Sequence, residues 1–500
     1  MKTNTLDFDA QALREKILDL AMRGKLVPQD PNDEPASVLL EKIKAEKEQL
    51  IKEKKIKKSK PLAPIADDEK PFDIPDSWEW VRLGDVGKII SGGTPKTSEK
   101  SYWENGNIPW ITPAVMSDTQ DDLIFNNKQI KFINKLGLEK SSAHLILKNS
   151  LVVSSRAPIG YVNIVPFDYT TNQGCKSVSL YSNTAKEFVY FVLKNAVPDM
   201  IKRASGTTFK EISGTKFGQT IIPLPPLEEQ SRIAAKIAQL FALLRKVESS
   251  IQQYVKLQDL LKSKVLDLAM RGKLVEQDPH DEPASVLLEK IKAEKEQLIK
   301  EGKIKKSKPL PPITDDEKPF DIPDSWEWVR FGGVTNFIGT GMVVPSSQQY
   351  EISKNETMIP YFKMNNIGNW NGRFDLNKVV YIKNSKKVDK YLLSSGELLF
   401  NTRNSRELVG KTTVVPNINK KIVANNNILR ITACGNIRTK FLNYMLISPY
   451  GKNLFFNLTT ATTNVAAVYQ KQLRKVVIPL PPLLEQSRIS TKIKQLFTLI

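Results

Sequence analysis

Residues 74–86 read IPDSWEWVRLGDV, and residues 322–334 read IPDSWEWVRFGGV. Two passages this similar in one chain mark a duplication, and an internal repeat constrains a fold before any local pattern does. Within each copy the alternation Trp-Glu-Trp-Val reads as a strand with one buried face. Both copies keep Trp78/Trp80 and Trp326/Trp328, so these rings are expected to be structural rather than stacked on bases.

Working outward, the duplication covers residues 19–86 and 267–334, with changes such as Pro28 to Glu276, Lys54 to Gly302 and Leu83 to Phe331. A second repeat is offset from the first. IPLPPLEEQSRIAAKIAQLFALL from Ile222 is answered by IPLPPLLEQSRISTKIKQLFTLI from Ile478. The two repeats meet in one stretch, Glu228 to Met270. Its apolar residues Ile233, Ile237, Leu240, Leu244, Val247, Ile251, Tyr254, Leu257, Leu261, Val265 and Leu268 step by threes and fours. That is the stripe of a long amphipathic or coiled-coil helix. Pro225 and Pro226, with Glu228 and Glu229 behind them, mark its start, and Gly272 marks its end. At 1.5 Å per residue it would be roughly 65 Å long.

LREKILDLAMRGKL near the N-terminus repeats the last turns of this helix, and EQSRISTKIKQLFTLI at the C-terminus repeats its first turns. Each terminus therefore holds part of a second copy, like a ring cut open with approximate two-fold symmetry. The chain stops in mid-pattern at Ile500, so a partial helix is expected there. The expected order is a half-spacer (1–24), a charged arm and linker (25–75), a variable unit (76–226) and the central spacer helix (227–272). The repeated arm (273–323), a second variable unit (324–482) and a partial spacer helix (483–500) follow. The arm PASVLLEKIKAEKEQLIKEKKIKKSK reads as helical from its Glu/Lys spacing, and Pro61, Pro64, Pro71 and Pro75 close it in an extended linker. Its lysines, Lys52 to Lys60, are placed to touch phosphates or simply to solvate a helix end.

The chain has 500 residues, enough for two to four domains, with 40% hydrophobic and 26% charged residues. Its formal charge of +20 favours a polyanionic partner, nucleic acid before an acidic membrane surface. Cys175 and Cys434 form neither a disulfide framework nor a zinc cluster. No signal-peptide h-region and no run of about eighteen apolar residues occurs, so a cytoplasmic protein without a membrane span is expected.

The variable units differ in text but share a grammar. NIPWIT at Asn107 answers MIPYFK at Met358, and LVVSSRAPIGYVNIV at Leu151 answers LLFNTRNSRELVGKTTVV at Leu398. TTNQGCKSVSL at Thr170 answers VANNNILRITA at Val423, and SGTTFKEIS at Ser205 answers ATTNVAAVY at Ala461. Apolar framing is kept while polar residues at strand ends and loops change, as one scaffold displaying two recognition surfaces would require. Arg grips guanine bidentately and Asn or Gln grips adenine in the major groove, whereas Ser, Thr and Lys position a domain on phosphates. The candidates are Ser155, Arg156, Asn172, Gln173, Lys176, Thr207 and Lys210 in the first unit. In the second they are Asn401, Thr402, Arg403, Asn404, Arg406, Lys411, Asn425 and Asn426, with Asn427 beside them. A loop-capping role suits the same residue types.

Other motifs carry less. SGGTPK at Ser91 reads as a turn. SRELVGKTT ends like a phosphate-binding loop, but Ser405 stands where the opening turn needs glycine. His144 and His280 have no metal-binding or nucleophilic pattern around them, and no strand-bound GxGxxG offers a nucleotide pocket. A protein that recognises and leaves catalysis to others is expected.

The twice-repeated order of Trp-x-Trp-x-x-(Leu/Phe)-Gly opening, IPLPPLxEQ-x-R-I exit and circular repeats resembles the DNA specificity subunits of type I restriction–modification enzymes. The resemblance covers essentially the whole chain. It implies an α+β protein: two mixed α/β target recognition domains in pseudo-two-fold arrangement, separated by long antiparallel coiled-coil-like helices. It also implies a bipartite double-stranded DNA target, two methyltransferase subunits docked on the helices, and restriction/translocase subunits. No cofactor is then expected in this chain, with S-adenosylmethionine in the methyltransferase partners and ATP and Mg in the restriction partners. A coiled-coil adaptor that binds only proteins is the alternative reading, and a catalytic methyltransferase–nuclease fusion a weaker one.

Overall fold

A computed structural model describes residues 8–56, 58, 61–181, 184–206, 210–353, 357–461 and 465–500. The chain divides into two compact units, Met1–Gln252 and Gln253–Ile500.

In the first unit the repeated Trp-Glu-Trp-Val-Arg passage forms the strand Glu79–Arg82. It pairs antiparallel with the exit strand Ile221–Leu224, so the unit's beginning and end are tied together. Between them lie two sheets. One is antiparallel, in the order Gly87–Ser91, Cys175–Leu180, Leu151–Ser155, Ile159–Ile164. The other sets Ile108–Ile111 between Lys131–Ile133, antiparallel, and Thr170–Thr171, parallel. The helix Lys186–Asn195 buries six successive residues, Phe188 to Leu193, against this core.

The second unit repeats the plan in different letters. Glu327–Arg330 pairs with Val477–Leu480. A four-stranded sheet runs Thr335–Thr340, Ile428–Ala433, Leu398–Asn401, Thr412–Val414. Met358–Phe362 again sits between an antiparallel strand, Val380–Lys383, and a parallel one, Val423–Ala424.

The charged arms are not free. Ala36, Leu39 and Ile43, three and four apart, lie on one buried face of the helix Ala36–Lys52. They join Met22, Trp78, Val81, Ile222 and Ile237 in one core, and Ala284, Leu287 and Ile291 are the buried face of the helix Ala284–Lys300 in the second unit. Fully burying a Leu or Ile contributes about 1.5–3 kcal/mol, enough to dock each arm despite its lysines.

The central helix spans Leu227–Met270 without a break. In the first unit the helix Ala10–Met22 runs antiparallel to its N-terminal half. Arg14 forks onto Glu248 at 3.0 and 2.6 Å, and Gln29, beyond that helix, reaches Glu229 at 2.6 Å. In the second unit the helix Leu483–Leu499 does the same with the C-terminal half. Gln258 donates to the carbonyl of Ile500, while Gln277 reaches Glu485 at 2.6 Å. Both the N-terminal and the central helix end in the same turn. Gly24 at φ +67° and Gly272 at φ +66° close it, and a Cβ there would meet Cγ of Pro75 at 2.5 Å or of Pro323 at 2.3 Å. Only glycine fits that approach.

Candidate nucleic-acid interface

At one end of each unit three loops are laced together by the same backbone hydrogen bonds. Asn172 N donates to Ile111 O at 3.0 Å, and Asn425 N to Phe362 O at 2.9 Å. Ser155 N donates to Gly174 O at 2.7 Å, and Thr402 N to Asn427 O at 2.9 Å. Ile212 N donates to Ser155 O, and Val468 N to Thr402 O, both at 3.0 Å. The frame therefore equates Arg156 with Arg403, Asn172 with Asn425, Gln173 with Asn426, Gly174 with Asn427, and Glu211 with Ala467. This is the register that the paired sequence passages imply.

The frame sorts the candidates of the first unit. Ser155 is fully buried and accepts from Lys176 Nζ at 3.2 Å. Lys176 is itself 5% exposed, and its ammonium also binds Gln173 O at 2.9 Å and Glu211 Oε1 at 3.2 Å. Both residues hold the loops together from inside rather than facing solvent. Asn172 turns its side chain back onto Gly174 N at 3.0 Å, ordering its own loop. Gln173 is exposed and accepts from Thr94 Oγ1. Lys210 is exposed, and Arg156 is one-third exposed beside Glu211 at 3.5 Å. Thr207 lies outside the described residues.

In the second unit Asn401 is fully buried. It donates to Arg403 O at 3.1 Å and accepts from Asn404 Nδ2 at 3.0 Å. Thr402 Oγ1 donates to Asn427 O at 2.9 Å, and Asn425, 6% exposed, accepts from Asn427 N at 3.1 Å. Lys411 is 3% exposed, with its ammonium on Met364 O, Ile367 O and Asn369 Oδ1. Burial pulls its pKa below that of an ordinary lysine. The Gly410–Lys411 step is thus an internal turn, as the missing first glycine implied. Asn401, Lys411 and Asn425, like Ser155 and Lys176, are buried and hydrogen-bonded within the protein, whereas the sequence predicts a surface contact for each. Arg403, Arg406 and Asn426 remain exposed.

One feature was not visible in the sequence. A cleft of about 400 Å³ brings Trp370, Arg406, Glu407, Lys452, Asn453 and Phe456 together. The Arg406 guanidinium lies 4.0 Å from the Phe456 ring centre and Lys452 Nζ 5.4 Å from that of Trp370. Stacking on an aromatic face holds a guanidinium while leaving its N–H edge open to acceptors. Only a hint existed beforehand, since the loop holding Arg406 is longer than its counterpart after Arg156.

Among the described residues no cluster of three His, Cys, Asp or Glu side chains is arranged to hold a metal ion, and no helix is long and apolar enough to cross a membrane. The family model for the type I restriction modification DNA specificity domain matches residues 75–256 and again residues 323–500. The chain is 32% identical over 540 residues to the Type I restriction enzyme EcoAI specificity subunit of Escherichia coli, covering 98% of this chain and 89% of that protein. It is 31% identical over 557 residues to the EcoEI specificity subunit of Escherichia coli, with the same coverage, 98% and 89%. A solved chain from "Structural basis underlying complex assembly and conformational transition of the type I R-M system" shares the fold. Its TM-score is 0.56 at 21% identity, over 86% of this chain and 92% of that one. With one family domain matched in each unit and relatives aligned along nearly its whole length, this chain belongs to the specificity-subunit family of type I restriction–modification enzymes.

Proposed function

We propose that this chain reads a bipartite sequence in double-stranded DNA, one half-site per unit, and performs no chemistry itself. The observation that carries the reading is the shared loop frame with unlike side chains. The same backbone bonds frame Arg156 and Gln173 in one unit and Arg403 and Asn426 in the other, while Lys210 and Arg406 are exposed with no counterpart of their own kind across the frame. Arginine suits guanine, and glutamine or asparagine suits adenine, in a major groove. The charge of +20 supplies the salt-sensitive phosphate attraction that any sequence would feel. The helix Leu227–Met270, continuous in sequence between the units, is the proposed spacer, since protein geometry sets half-site separation.

On this reading two methyltransferase subunits dock on the repeated helices and bring S-adenosylmethionine, and restriction/translocase subunits bring ATP and Mg chemistry. The test is to sequence the methylome of cells co-expressing this chain with its methyltransferase subunit. A methylated bipartite motif with a fixed gap is expected, and exchanging residues 87–220 for those of a relative should alter only one half of it. No methylation with a competent methyltransferase present would instead favour a protein-binding adaptor.

A further inference from the structure

We infer that Glu211 is a positioning residue that pre-orders Arg156 for reading one base pair of the first half-site, a device with no counterpart among the described residues of the second unit. The inference rests on the DNA-reading function proposed above. Three positions around the first arginine are built for it. The Glu211 carboxylate lies 3.5 Å from Arg156 Nη1. Gly174 puts no side chain against the guanidinium: a Cβ there would stand 3.0 Å from Pro113 Cγ, 3.1 Å from Asn172 Oδ1 and 3.3 Å from Arg156 Nε. Lys176, buried beneath, holds the other Glu211 oxygen at 3.2 Å.

In the second unit all three are different. Ala467 occupies the Glu211 position, pairing with Arg403 as Glu211 pairs with Arg156 in the backbone ladder. Leu429 faces Phe400 as Lys176 faces Val153, so the buried ammonium is replaced by an alkyl chain. Asn427 stands in the place of Gly174. Arg403 accordingly projects exposed.

The exchange is concerted. A lone glutamate beside DNA would repel phosphate, but Lys176 offsets its charge and leaves the trio net positive. With no glutamate to anchor, the second unit has leucine at the position of Lys176 and alanine at that of Glu211, and its buried Lys411 is bonded elsewhere, to Met364 O, Ile367 O and Asn369 Oδ1. An arginine already held by a carboxylate loses less rotamer freedom when it meets a base edge, and it cannot swing to an alternative acceptor. The first arginine is therefore strict, and Arg403 adaptable.

The experiment uses the full chain assembled with its methyltransferase subunits. Initial methylation rates are measured on duplexes carrying each single-base substitution in both half-sites. Arg156→Ala should relax discrimination at one base pair of the first half-site. Glu211→Gln should lower discrimination about tenfold at that same base pair, leave the second half-site unmoved, and add nothing in the Arg156→Ala background. Should unpairing Lys176 impair folding, the double variant Glu211→Gln/Lys176→Met removes both charges and should show the same loss. A uniform rate loss on every duplex, or no change at all, would make Glu211 merely structural and overturn the inference. If Arg156→Ala moves no base pair while Arg403→Ala does, the inference fails and DNA reading stands. If neither does, the DNA-reading function itself fails.

Discussion

The indole nitrogen of Trp78 donates to Oε2 of Glu229 at 2.9 Å, joining the residue that leads into the first strand of a unit to the first turn of the helix that leaves it. Trp326 and Glu485 make the same bond at the same distance. The other carboxylate oxygen receives Gln29 or Gln277 at 2.6 Å. Tryptophan and glutamine from one repeated passage and glutamate from the other thus form one clamp per unit. Replacing Glu229 by Ala leaves a buried indole N–H without an acceptor and should cost about 1–3 kcal/mol, read by urea unfolding. Hydrogen exchange should show the loss centred on the first unit, and Glu485→Ala should shift it to the second.

Burial pushes the Glu229 carboxyl above the usual 4.5, outweighing the hydrogen bonds from Trp78 and Gln29 that favour its charged form. The folded state therefore binds this proton more tightly than the unfolded chain. The associated stability is complete below 4.5 and is lost as pH rises through the raised value. Glu229→Gln does not titrate, so its stability relative to wild type should rise with pH across that interval in thermal melts.

Glu317 behaves in the opposite sense. The Arg330 guanidinium forks onto it at 2.7 and 2.6 Å and holds its carboxyl down at about 2. Its contribution is present above 4.5 and disappears as pH falls toward 2. The melting-temperature gap between wild type and Glu317→Gln should be open at pH 6 and narrow steadily during acidification.

Arg430 and Glu397 form a buried fork at 3.1 and 2.6 Å, with side chains 10% and 9% exposed. Removing one partner strands the other charge in the sheet, so Glu397→Ala should destabilise the second unit by about 3–5 kcal/mol in urea. Replacing both by apolar residues of similar volume should recover most of that loss.

Both thiols are shielded. Burial pushes Cys175 up to about 12 and Cys434 up to about 11. Neither should react with a thiol-directed reagent at pH 8 in the native protein, and both should react after denaturation. Labelling of a single site in mild urea would report which unit opens first.

How much of this was legible in the residues alone varies by element. The helix Leu227–Met270 was readable because prolines, an apolar stripe and Gly272 are local signals. The structural role of Trp78 was readable because its partners repeat with it. The alignment of Arg156 with Arg403 was readable because strands framing a loop must keep their apolar letters. Which polar residues turn inward was not readable. Lys411 is buried because carbonyls of Met364 and Ile367, 47 and 44 residues away in sequence, surround its ammonium. The Trp370–Lys452 contact likewise joins residues with no common pattern.

The sequence by itself therefore determined the duplicated plan, the boundaries of the central helix and the register of the recognition loops, since periodicity, caps and repeats act over a few neighbouring residues. It did not show that the arm helix ends at Lys52, at the start of the lysine run. Only the tertiary structure decided that Lys176 faces inward while Gln173 faces out, and that Arg156 has a carboxylate where Arg403 has a methyl group. A polar side chain is buried only where partners from distant segments converge to replace its water, and that convergence exists only in the folded chain.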